Sequence, residues 1–411
     1  QWYVKYLDRK KDFLKASGKL NWFPKHMKHK LDNWIRGLQW DWSISRQRHF
    51  GVPIPVWYCK NCDGILFADE KQLPINPFKH KPLKPCGKCG SKETVPERDV
   101  FDTWFTSSST PEIAISLMPP ELQGKLFPMS LRPQAQDIIN FWLFYTMAKS
   151  QLLEGKNPWE NVTISGFVTL RGEKMAKSKG NIVNPQEIMN EYGADALRYW
   201  AASSKLGEDM EYQEKEIIAG KKFITKLRNS TRFVFMNFNG KPEKPRKFAE
   251  TDKIFLMEIN HLIKDVTDAF DSYNYSAAKL RTERFFWRDF CDNYLEIVKW
   301  RVYNGNKQEK ESAFYTLYQS LLTILKLFAP ITPFITEEIY QEYFKKYEKD
   351  KSVHISSWPE CESDLVSKIW PLFLETISLI RQEKSKAKKP MNAEINLTIP
   401  KEFKSKIKEL I

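Results

Sequence analysis

The spacing of apolar residues changes near residue 205, and this change limits the chain to a fold in two parts. From about 97 to 204, strand-like runs such as NVTISGFVTL alternate with helix-like segments such as QDIINFWLFYTMAKSQLLEG. That alternation is typical of α/β folds built on a parallel sheet. After 205 the spacing is helical, with few strand signals. We therefore predict an α/β part followed by an all-α part that forms a helical bundle.

The helical part is predicted from segments in which apolar residues recur every three or four positions. These segments are 213–238, 252–271, 275–303, 311–328, 333–348 and 364–387. One face of the third segment is expected to carry Leu280, Phe286, Phe290, Tyr294 and Val298.

The charge balance favours a polyanionic partner. The 411 residues include 65 Lys and Arg against 51 Asp and Glu, a formal net charge of +14, which suits nucleic acid. The sequence has no uncharged apolar run long enough to span a bilayer and no signal peptide at its start, so we predict a cytoplasmic location. Because the chain opens with Gln1 and ends within a charged helical pattern, we expect it to be a piece of something longer.

Four of the six cysteines form two C-x2-C pairs that are separated by twenty-three residues. The pairs are Cys59 with Cys62 and Cys86 with Cys89. Two such turns can present four thiolates tetrahedrally, the geometry that zinc prefers. The alternatives are four reduced thiols or two disulfides, and the lack of a secretory signal favours a structural zinc.

Three glycines and the segment between the two cysteine pairs fit this interpretation, and the remaining two cysteines lie elsewhere in the chain. Glycines at 64, 87 and 90 would supply the tight turns that a zinc ribbon needs. The long inner segment 66–85 is predicted to be a loop. Cys291 and Cys361 stand alone and are predicted to be core residues.

Residues 172–181, GEKMAKSKGN, hold three lysines between a strand-like run and a helix that Asn184 can cap. Lysines are flexible point charges that can follow a phosphate as its charge redistributes. A loop at the carboxyl end of a parallel strand also lies where α/β sheets bind ligands, and Gly172 and Gly180 would let it move as a flap. From the residues alone, a solvated basic turn is an equally good interpretation.

Several segments resemble the class I aminoacyl-tRNA synthetases. KMAKS at 174–178 resembles their Lys-Met-Ser-Lys-Ser signature, with alanine in the third position. The segments WSISRQRHFGVPIPVWYC, DTWFTSS and YGADALRYW are similar to further parts of the valyl, isoleucyl and leucyl group, in the same order. ITPFITEEIY and HISSWPE resemble its helical anticodon-binding domain, and SLRPQAQDIINFW is most similar to the archaeal-type valyl enzymes.

The resemblance implies the second half of a Rossmann-type catalytic domain with a zinc-ribbon insert, followed by a helical anticodon-binding domain. The expected divisions are a connector that follows a missing editing insertion (1–54), the insert (55–96), the catalytic half (97–204), the anticodon-binding domain (205–387) and a basic C-terminal extension (388–411). The family's His-x-Gly-His signature is absent from the sequence. We therefore expect the C-terminal portion of an archaeal-type valyl enzyme, inactive without an N-terminal half that carries this signature and an editing domain.

The resemblance also implies residues that bind ATP. Those expected in this role are Asp137, Gly166, Lys174, Met175, Lys177 and Ser178. Lys174, Lys177 and Ser178 would also be catalytic, because they would stabilise the triphosphate during adenylate formation. Asp137 would accept hydrogen bonds from the ribose hydroxyls and Gly166 would let the adenine approach the backbone. Their alternatives are a helix cap and a bulge, respectively.

Trp104, Ile138 and Trp142 would, by the same resemblance, form the walls of a small pocket for a β-branched amino acid. The alternative for each of the three is ordinary core packing. The expected activity is the activation of valine with ATP and Mg²⁺ and its transfer to tRNA(Val), with the bundle binding the anticodon arm. The alternatives are a non-catalytic zinc-containing chain that binds tRNA, a subunit of a split enzyme, or an isoleucyl or leucyl relative.

Overall fold

The computed structural model describes residues 1–238, 240–362, 369–390, 393, 394, 396 and 398. Two compact units divide the chain: Gln1–Phe167 with Leu206–Glu208, and Val168–Lys205 with Asp209–Ile411. The predicted domain boundaries are a finer division than these units and stay predictions. Most of the predicted extension 388–411, namely 391, 392, 395, 397 and 399–411, lies outside the described residues.

The first unit alternates short strands and helices. Its strands are β1 (Tyr3–Val4), β2 (Asn21–Phe23), β3 (Trp42–Ser43), β4 (Ser45–Arg46), β5 (Val56–Cys59), β6 (Ile65–Phe67), β7 (Thr94–Pro96), β8 (Val100–Phe101), β9 (Met129–Ala135) and β10 (Trp159–Ser165). Its helices are α1 (Lys10–Lys19), α2 (Lys28–Gly37), α3 (Thr103–Ser107), α4 (Thr110–Ser116), α5 (Pro120–Gln123) and α6 (Phe144–Leu153). A 3-10 turn at Gln136–Ile138 and a π-helical turn at Ile139–Leu143 lead into α6.

A parallel sheet in the order β2-β10-β9 organises this unit. Val162 of the central strand lies opposite Trp22 on one side and Arg132 on the other. Fully buried Phe13 of α1 and Phe144 of α6 belong to the apolar core that includes Trp22 and Val162. The prediction of an α/β part with a parallel sheet is confirmed.

The cysteine-containing segment forms a separate antiparallel sheet in the order β6-β5-β7. Apart from the residues of β6 and a 3-10 turn at Glu70–Gln72, the segment 66–85 has no regular secondary structure. The loop prediction is thus correct for most of the segment.

The second unit is mainly helical. Its strands are β11 (Val168–Leu170), β12 (Glu173–Lys174) and β13 (Met210–Glu211). Its helices are α7 (Pro185–Tyr192), α8 (Ala194–Ala201), α9 (Glu214–Phe235), α10 (Glu250–Asp271), α11 (Tyr275–Arg284), α12 (Leu295–Asn304), α13 (Lys307–Phe328), α14 (Pro333–Ile339) and α15 (Ile369–Lys386). π-helical segments at Phe285–Tyr294 and Tyr340–Phe344 join α11 to α12 and extend α14. The predicted bundle is confirmed, and 364–368 of its last predicted helix lie outside the described residues. Within the part of the chain that is described, no helix is long and apolar enough to cross a membrane.

Two predictions of buried positions, Leu280 and Cys361, were wrong. Leu280 is 62% exposed, whereas Phe286, Phe290 and Val298 are buried. Phe286 lies six positions after Leu280, about one and two-thirds turns of an α-helix, so the two side chains point to different sides. Cys361 is exposed, although Cys291 is buried as predicted.

The run NVTISGFVTL is two strands, so the prediction of one strand leading into the lysine-rich loop was wrong. β10 ends at Ser165, and β11 starts at Val168 in another sheet, where it pairs antiparallel with β12 and parallel with β13. Gly166 and Phe167 separate the two strands. A strand-like run indicates extended backbone along a segment but not a change of hydrogen-bonding partner, which depends on residues distant in sequence.

Candidate functional site

The lysine-rich loop begins with a β-hairpin. Thr169 pairs with Lys174 and Leu170 with Glu173, which leaves Arg171 and Gly172 as a two-residue turn. The φ angles of these two residues are 55° and 77°. Positive φ at both central positions defines a type I′ turn, which matches the twist of the strands that it joins. Gly172 adopts this conformation without a Cβ penalty.

Glu211 of β13 fixes this turn from the neighbouring strand. Its carboxylate accepts hydrogen bonds from the backbone N–H of Arg171 at 2.5 Å and of Gly172 at 3.3 Å, and from the Thr169 hydroxyl. These donors, the Thr169 hydroxyl first, lower the pKa of Glu211. The sequence reasoning missed this residue, because it lies about 40 positions from the turn that it holds.

Asn181 closes the other end of the loop. Its side-chain Oδ1 accepts from the Ala176 N–H at 2.9 Å, and its Nδ2 donates to the Lys174 carbonyl at 3.2 Å. The Lys179 ammonium pairs with the Glu173 carboxylate at 3.1 Å. These contacts fold residues 173–181 back on themselves, so the loop has a defined shape.

The closed loop presents its functional candidates to solvent. Lys174, Lys177 and Ser178 are exposed, and Met175 is half-buried. The Met175 N–H donates to the Val168 carbonyl at 3.2 Å, which holds the middle of the loop against β11. The structure therefore brings two ammonium groups and a hydroxyl together on one exposed loop, a set of donors that suits phosphate oxygens.

The helix after the loop starts as the sequence predicts. The Asn184 side chain accepts from the Gln186 N–H at 3.0 Å and donates to the Glu187 carboxylate at 3.0 Å, and Pro185 occupies the first helical position. The cap is confirmed.

The predicted amino-acid pocket residues lie in the first unit. The Asp102 carboxylate caps α3 by accepting from the Trp104 N–H at 3.2 Å. The Trp104 ring stacks on Phe141 with centroids 5.5 Å apart, and the Trp142 Nε1 donates to the Ser107 carbonyl at 3.0 Å. Both tryptophans are half-buried. Their rings are thus held in place by α3 and the π-helical turn.

Arg132 on β9 is a residue that the sequence reasoning missed. It is 5% exposed, and its guanidinium lies over the ring of Trp142 and 4.8 Å from the ring centre of Trp159. Burial lowers the pKa of Arg132 to about 8. An arginine stacked on indole rings fixes their position, so Arg132 holds the ring of Trp142, one of the predicted pocket residues, in place. In the sequence, Arg132 is marked only by its place in the segment SLRPQAQDIINFW, which resembles the archaeal-type valyl enzymes.

The remaining candidates in the first unit lie at the ends of the parallel strands. Asp137 is exposed and Ile138 half-buried in the turn that follows β9, and half-buried Gly166 follows β10. The Ser165 hydroxyl donates to the Gln134 carbonyl at 3.4 Å, so this side chain ties the two strand ends together. The roles of Asp137, Ile138 and Gly166 toward ligands stay predictions.

The structure brings the two cysteine pairs together. The four Sγ atoms lie within 4.8 Å of one another, with Cys59 and Cys89 at 3.5 Å and Cys62 and Cys86 at 3.5 Å. Four thiolates bound to one zinc at 2.3 Å would stand about 3.8 Å apart. The cluster could therefore hold a metal ion of this size.

Both cysteine turns have the same backbone hydrogen bonds. The first has Asp63 N–H to the Cys59 carbonyl at 3.0 Å, and the second has Gly90 N–H to the Cys86 carbonyl at 2.8 Å. Backbone hydrogen bonds from Lys88 and Cys89 lower the pKa of Cys86 to about 6, which favours the thiolate that metals bind.

Gly64 lies against this cluster. A Cβ on Gly64 would stand 3.0 Å from the Cys86 Sγ and 3.3 Å from the Cys62 Sγ, so a side chain there would crowd the sulfurs. In contrast, a Cβ on Gly87 would meet nothing within 4 Å.

Comparison with known protein families identifies the family to which the chain belongs. Residues 1–213 match the family described as "tRNA synthetases class I (I, L, M and V)", which is more than half of the 411 residues. The chain belongs to the class I tRNA synthetases. Residues 252–399 match the "Anticodon-binding domain of tRNA ligase", so the helices from α10 onward belong to the anticodon-binding domain of this class.

Individual relatives agree on one specificity. A "Valine--tRNA ligase" of Thermoplasma volcanium is 43% identical over 94% of this chain and 50% of the relative's length. Another of the same name, from Orientia tsutsugamushi, is 40% identical over 97% of this chain and 49% of its own length. The chain spans about half the length of the curated relatives that it matches.

Solved structures show the same fold at lower identity. A leucyl synthetase in a ternary complex from Agrobacterium radiobacter K84 superimposes with a TM-score of 0.66 and 21% identity, covering 80% of this chain and 43% of that chain. A methionyl-tRNA synthetase from Mycobacterium tuberculosis, in complex with methionyl-adenylate, gives 0.58 and 19% identity over 89% and 67% of the two chains. The class I synthetase architecture of α/β part and helical part is thereby confirmed.

Proposed function

We propose that this chain is the part of a valine–tRNA ligase that holds the ATP triphosphate and the anticodon arm of tRNA(Val). The observation that carries the proposal is the identity of 40–44% to valine–tRNA ligases over 86–97% of the chain. The closed loop with exposed Lys174 and Lys177 supports it, because phosphoryl chemistry needs mobile cations on a defined backbone. The predicted cytoplasmic location stays part of this proposal.

In the proposed reaction, a carboxylate oxygen of valine attacks the α-phosphorus of ATP, and the bond to the β-phosphate breaks to release pyrophosphate. Lys174 and Lys177 bind the triphosphate oxygens and neutralise the charge that builds up on the leaving pyrophosphate, and Ser178 donates a hydrogen bond to the same group. Asp137 accepts from the ribose hydroxyls. Mg²⁺ bound with ATP supplies further charge neutralisation. A 3′-terminal ribose hydroxyl of tRNA then attacks the valyl carbonyl, and AMP leaves.

The choice of valine is proposed to come from Trp104, Ile138 and Trp142. Two rings and a β-branched side chain form a stiff slot, and the contacts of Trp104 with Phe141 and of Trp142 with Ser107 limit the movement of both rings. A difference of one methylene in such a slot is worth about 1–3 kcal/mol. A slot of this kind therefore favours valine over isoleucine or leucine, but it discriminates poorly against an amino acid of the same shape that carries a hydroxyl.

The test is a chimera in which this chain replaces the matching half of the Thermoplasma volcanium ligase. We expect ATP–pyrophosphate exchange that depends on valine and is weaker with isoleucine or leucine. Lys174→Gln should lower the exchange rate by about 10²–10³, the effect of losing one stabilising donor. Lys179→Gln is the matched control on the same loop, because Lys179 pairs with Glu173, and it should change the rate far less.

The outcomes separate the candidate functions. Exchange that prefers isoleucine or leucine would contradict the valine assignment. A folded chimera without exchange would favour a non-catalytic chain that binds tRNA. The 411-residue chain alone, which has no His-x-Gly-His motif, should not catalyse exchange. Exchange by the chain alone would show that no such motif is needed.

We also propose that Cys59, Cys62, Cys86 and Cys89 bind a structural zinc ion. All four ligand positions would be filled by protein, which leaves none for substrate. Metal analysis after transfer to metal-free buffer should find about one equivalent of zinc. A chain with reduced thiols and less than about half an equivalent would count against the site.

A further inference from the structure

One face of α9 and the π-helical segment Phe285–Tyr294 form an open groove of about 590 Å³ within the second unit. The polar and aromatic residues that line it are Lys221, Lys222, Thr225, Lys226, Asn229 and Trp287. The α9 residues 222, 225, 226 and 229 follow the i, i+3, i+4, i+7 spacing of one helix face. The groove is therefore a continuous surface along about two turns of α9.

The charged side chains that line the groove are all positive. Three lysines line it, and none of its lining residues, all within the described part of the chain, is acidic. Lys222 is exposed, and the Lys226 ammonium lies 5.5 Å from the ring centre of Trp287. Lys221 donates to the backbone carbonyl of Glu191 at 3.2 Å, and no carboxylate among the described residues forms an ion pair with it. These ammonium groups are positioned to bind an anion.

Trp287 gives the groove a flat apolar surface beside the lysines. Its ring packs edge-on against Phe286 with centroids 5.9 Å apart, and the residue is half-buried. An aromatic surface next to cationic side chains suits an RNA strand, whose phosphates meet the lysines while a base or ribose packs on the ring. Thr225 and Asn229 add hydroxyl and amide donors, which commonly contact phosphate and sugar. An acidic peptide would use the lysines but would leave the ring without a flat partner.

We propose that this α9 groove binds the sugar–phosphate backbone of the tRNA, with Lys221, Lys222 and Lys226 as phosphate ligands and Trp287 as a stacking surface. The proposal rests on the proposed function for the identity of the RNA. It adds a specific contact surface to that function, on the first long helix of the second unit.

The experiment measures binding of a fluorescent tRNA(Val) transcript to the full 411-residue chain over a range of salt concentrations. The test variant is Lys221→Gln/Lys222→Gln/Lys226→Gln. The matched control removes the same charge from exposed lysines of α1 in the first unit, as Lys11→Gln/Lys15→Gln/Lys19→Gln. Each lost phosphate contact lowers the slope of log affinity against log salt by about one. The groove variant should therefore lose about two to three units of slope and bind about 10- to 100-fold more weakly at low salt, and the control should change little.

A second variant tests the ring independently of charge. Trp287→Leu keeps an apolar side chain and should weaken binding about 5- to 100-fold without changing the salt slope, the effect expected for one lost stacking contact. Equal losses in the groove and α1 variants, or an unchanged slope in the groove variant, would overturn the proposal. A groove variant that also loses binding to a polyglutamate peptide, with Trp287→Leu having no effect on RNA, would assign the groove to an acidic protein.

Valine-dependent exchange and tRNA binding are separate measurements, so the groove and the proposed function can be tested independently. Adenylate formation from valine and ATP consumes no tRNA, so the chimera with the groove variant should keep valine-dependent exchange and lose aminoacylation. A parent chimera without valine-dependent exchange would contradict the proposed function while leaving the RNA-binding result intact.

Discussion

A buried ion pair of the second unit provides a sharp stability prediction. Asp252 of α10 is fully buried, and its carboxylate accepts two hydrogen bonds from Arg301 of α12, at 2.6 and 2.7 Å. The hydroxyls of Tyr294 and Ser312 donate to the same carboxylate at 2.6 and 2.5 Å. One carboxylate therefore joins α10, the π-helical segment, α12 and α13.

Asp252→Ala removes the carboxylate that binds the Arg301 guanidinium, a side chain that is 8% exposed. Breaking a buried pair in this way costs about 3–5 kcal/mol, a large part of the roughly 5–15 kcal/mol that stabilises a folded protein. With a urea m-value of about 2–3 kcal/mol/M, the midpoint should fall by about 1–2.5 M. Far-UV circular dichroism is the assay, because it reports mainly the helices of this unit.

Two further variants test the reasoning. Asp252→Leu/Arg301→Met removes both charges and should be more stable than Asp252→Ala, because no buried charge is left unpaired. Glu338→Ala breaks the ion pair with Arg228 at 2.6 Å, in which both side chains are 54% exposed, and should cost no more than about 1 kcal/mol. The explanation fails if Asp252→Ala costs as little as Glu338→Ala, or if the double variant is as unstable as the sum of its two single changes.

Three further predictions concern pH, metal and the loop. Burial, together with the nearby charge of Asp289, raises the pKa of Glu258 from 4.5 to about 7. The folded state therefore binds the carboxyl proton of Glu258 more tightly than the unfolded state does. The contribution of this proton to stability is full below pH 4.5 and is lost as the pH rises to 7. In urea titrations at a series of pH values, Glu258→Gln should reduce the loss of unfolding free energy between pH 4.5 and 7. An unchanged loss would show that Glu258 does not cause it. Gly64→Ala should lower the zinc affinity because its Cβ would press on two sulfurs, whereas Gly87→Ala should not; equal affinities in a chelator competition would refute the steric argument. Asn181→Ala opens the loop and should raise the KM for ATP in the chimera with a smaller change in KM for valine; an unchanged KM for ATP would show that this closure does not position the lysines.

The parts of the fold that depend on local spacing could be predicted from the sequence. Apolar residues at helical intervals identified the bundle, because each helix shows its buried face within a few turns. The two C-x2-C pairs identified the cluster for a similar reason, since each turn is complete within six residues, from Cys59 to Gly64 and from Cys86 to Ser91.

Contacts between distant residues were not predictable in this way. Asp252 and Arg301 are 49 positions apart, and Asp252 is one acidic residue among 51, so no pattern marks it as buried. Glu211 likewise occupies a short strand whose pairing with β11 the sequence does not show. Arg132 lies in the segment SLRPQAQDIINFW, but a buried arginine on a strand contradicts the usual preference for exposure. Its stacking on Trp142 and Trp159 became visible only in the structure.

The closure of the lysine-rich loop also explains how it tolerates alanine where the family signature has serine. Asn181 binds the loop through the backbone N–H of Ala176 and the carbonyl of Lys174, and neither contact uses the side chain at 176. The hydrogen bonds that Glu211 accepts lie at the opposite end, on the turn. The shape of the loop therefore depends on Asn181 and Glu211 and not on a hydroxyl at 176. Ser178 keeps the second serine of the signature, and its hydroxyl is exposed where a phosphate could reach it.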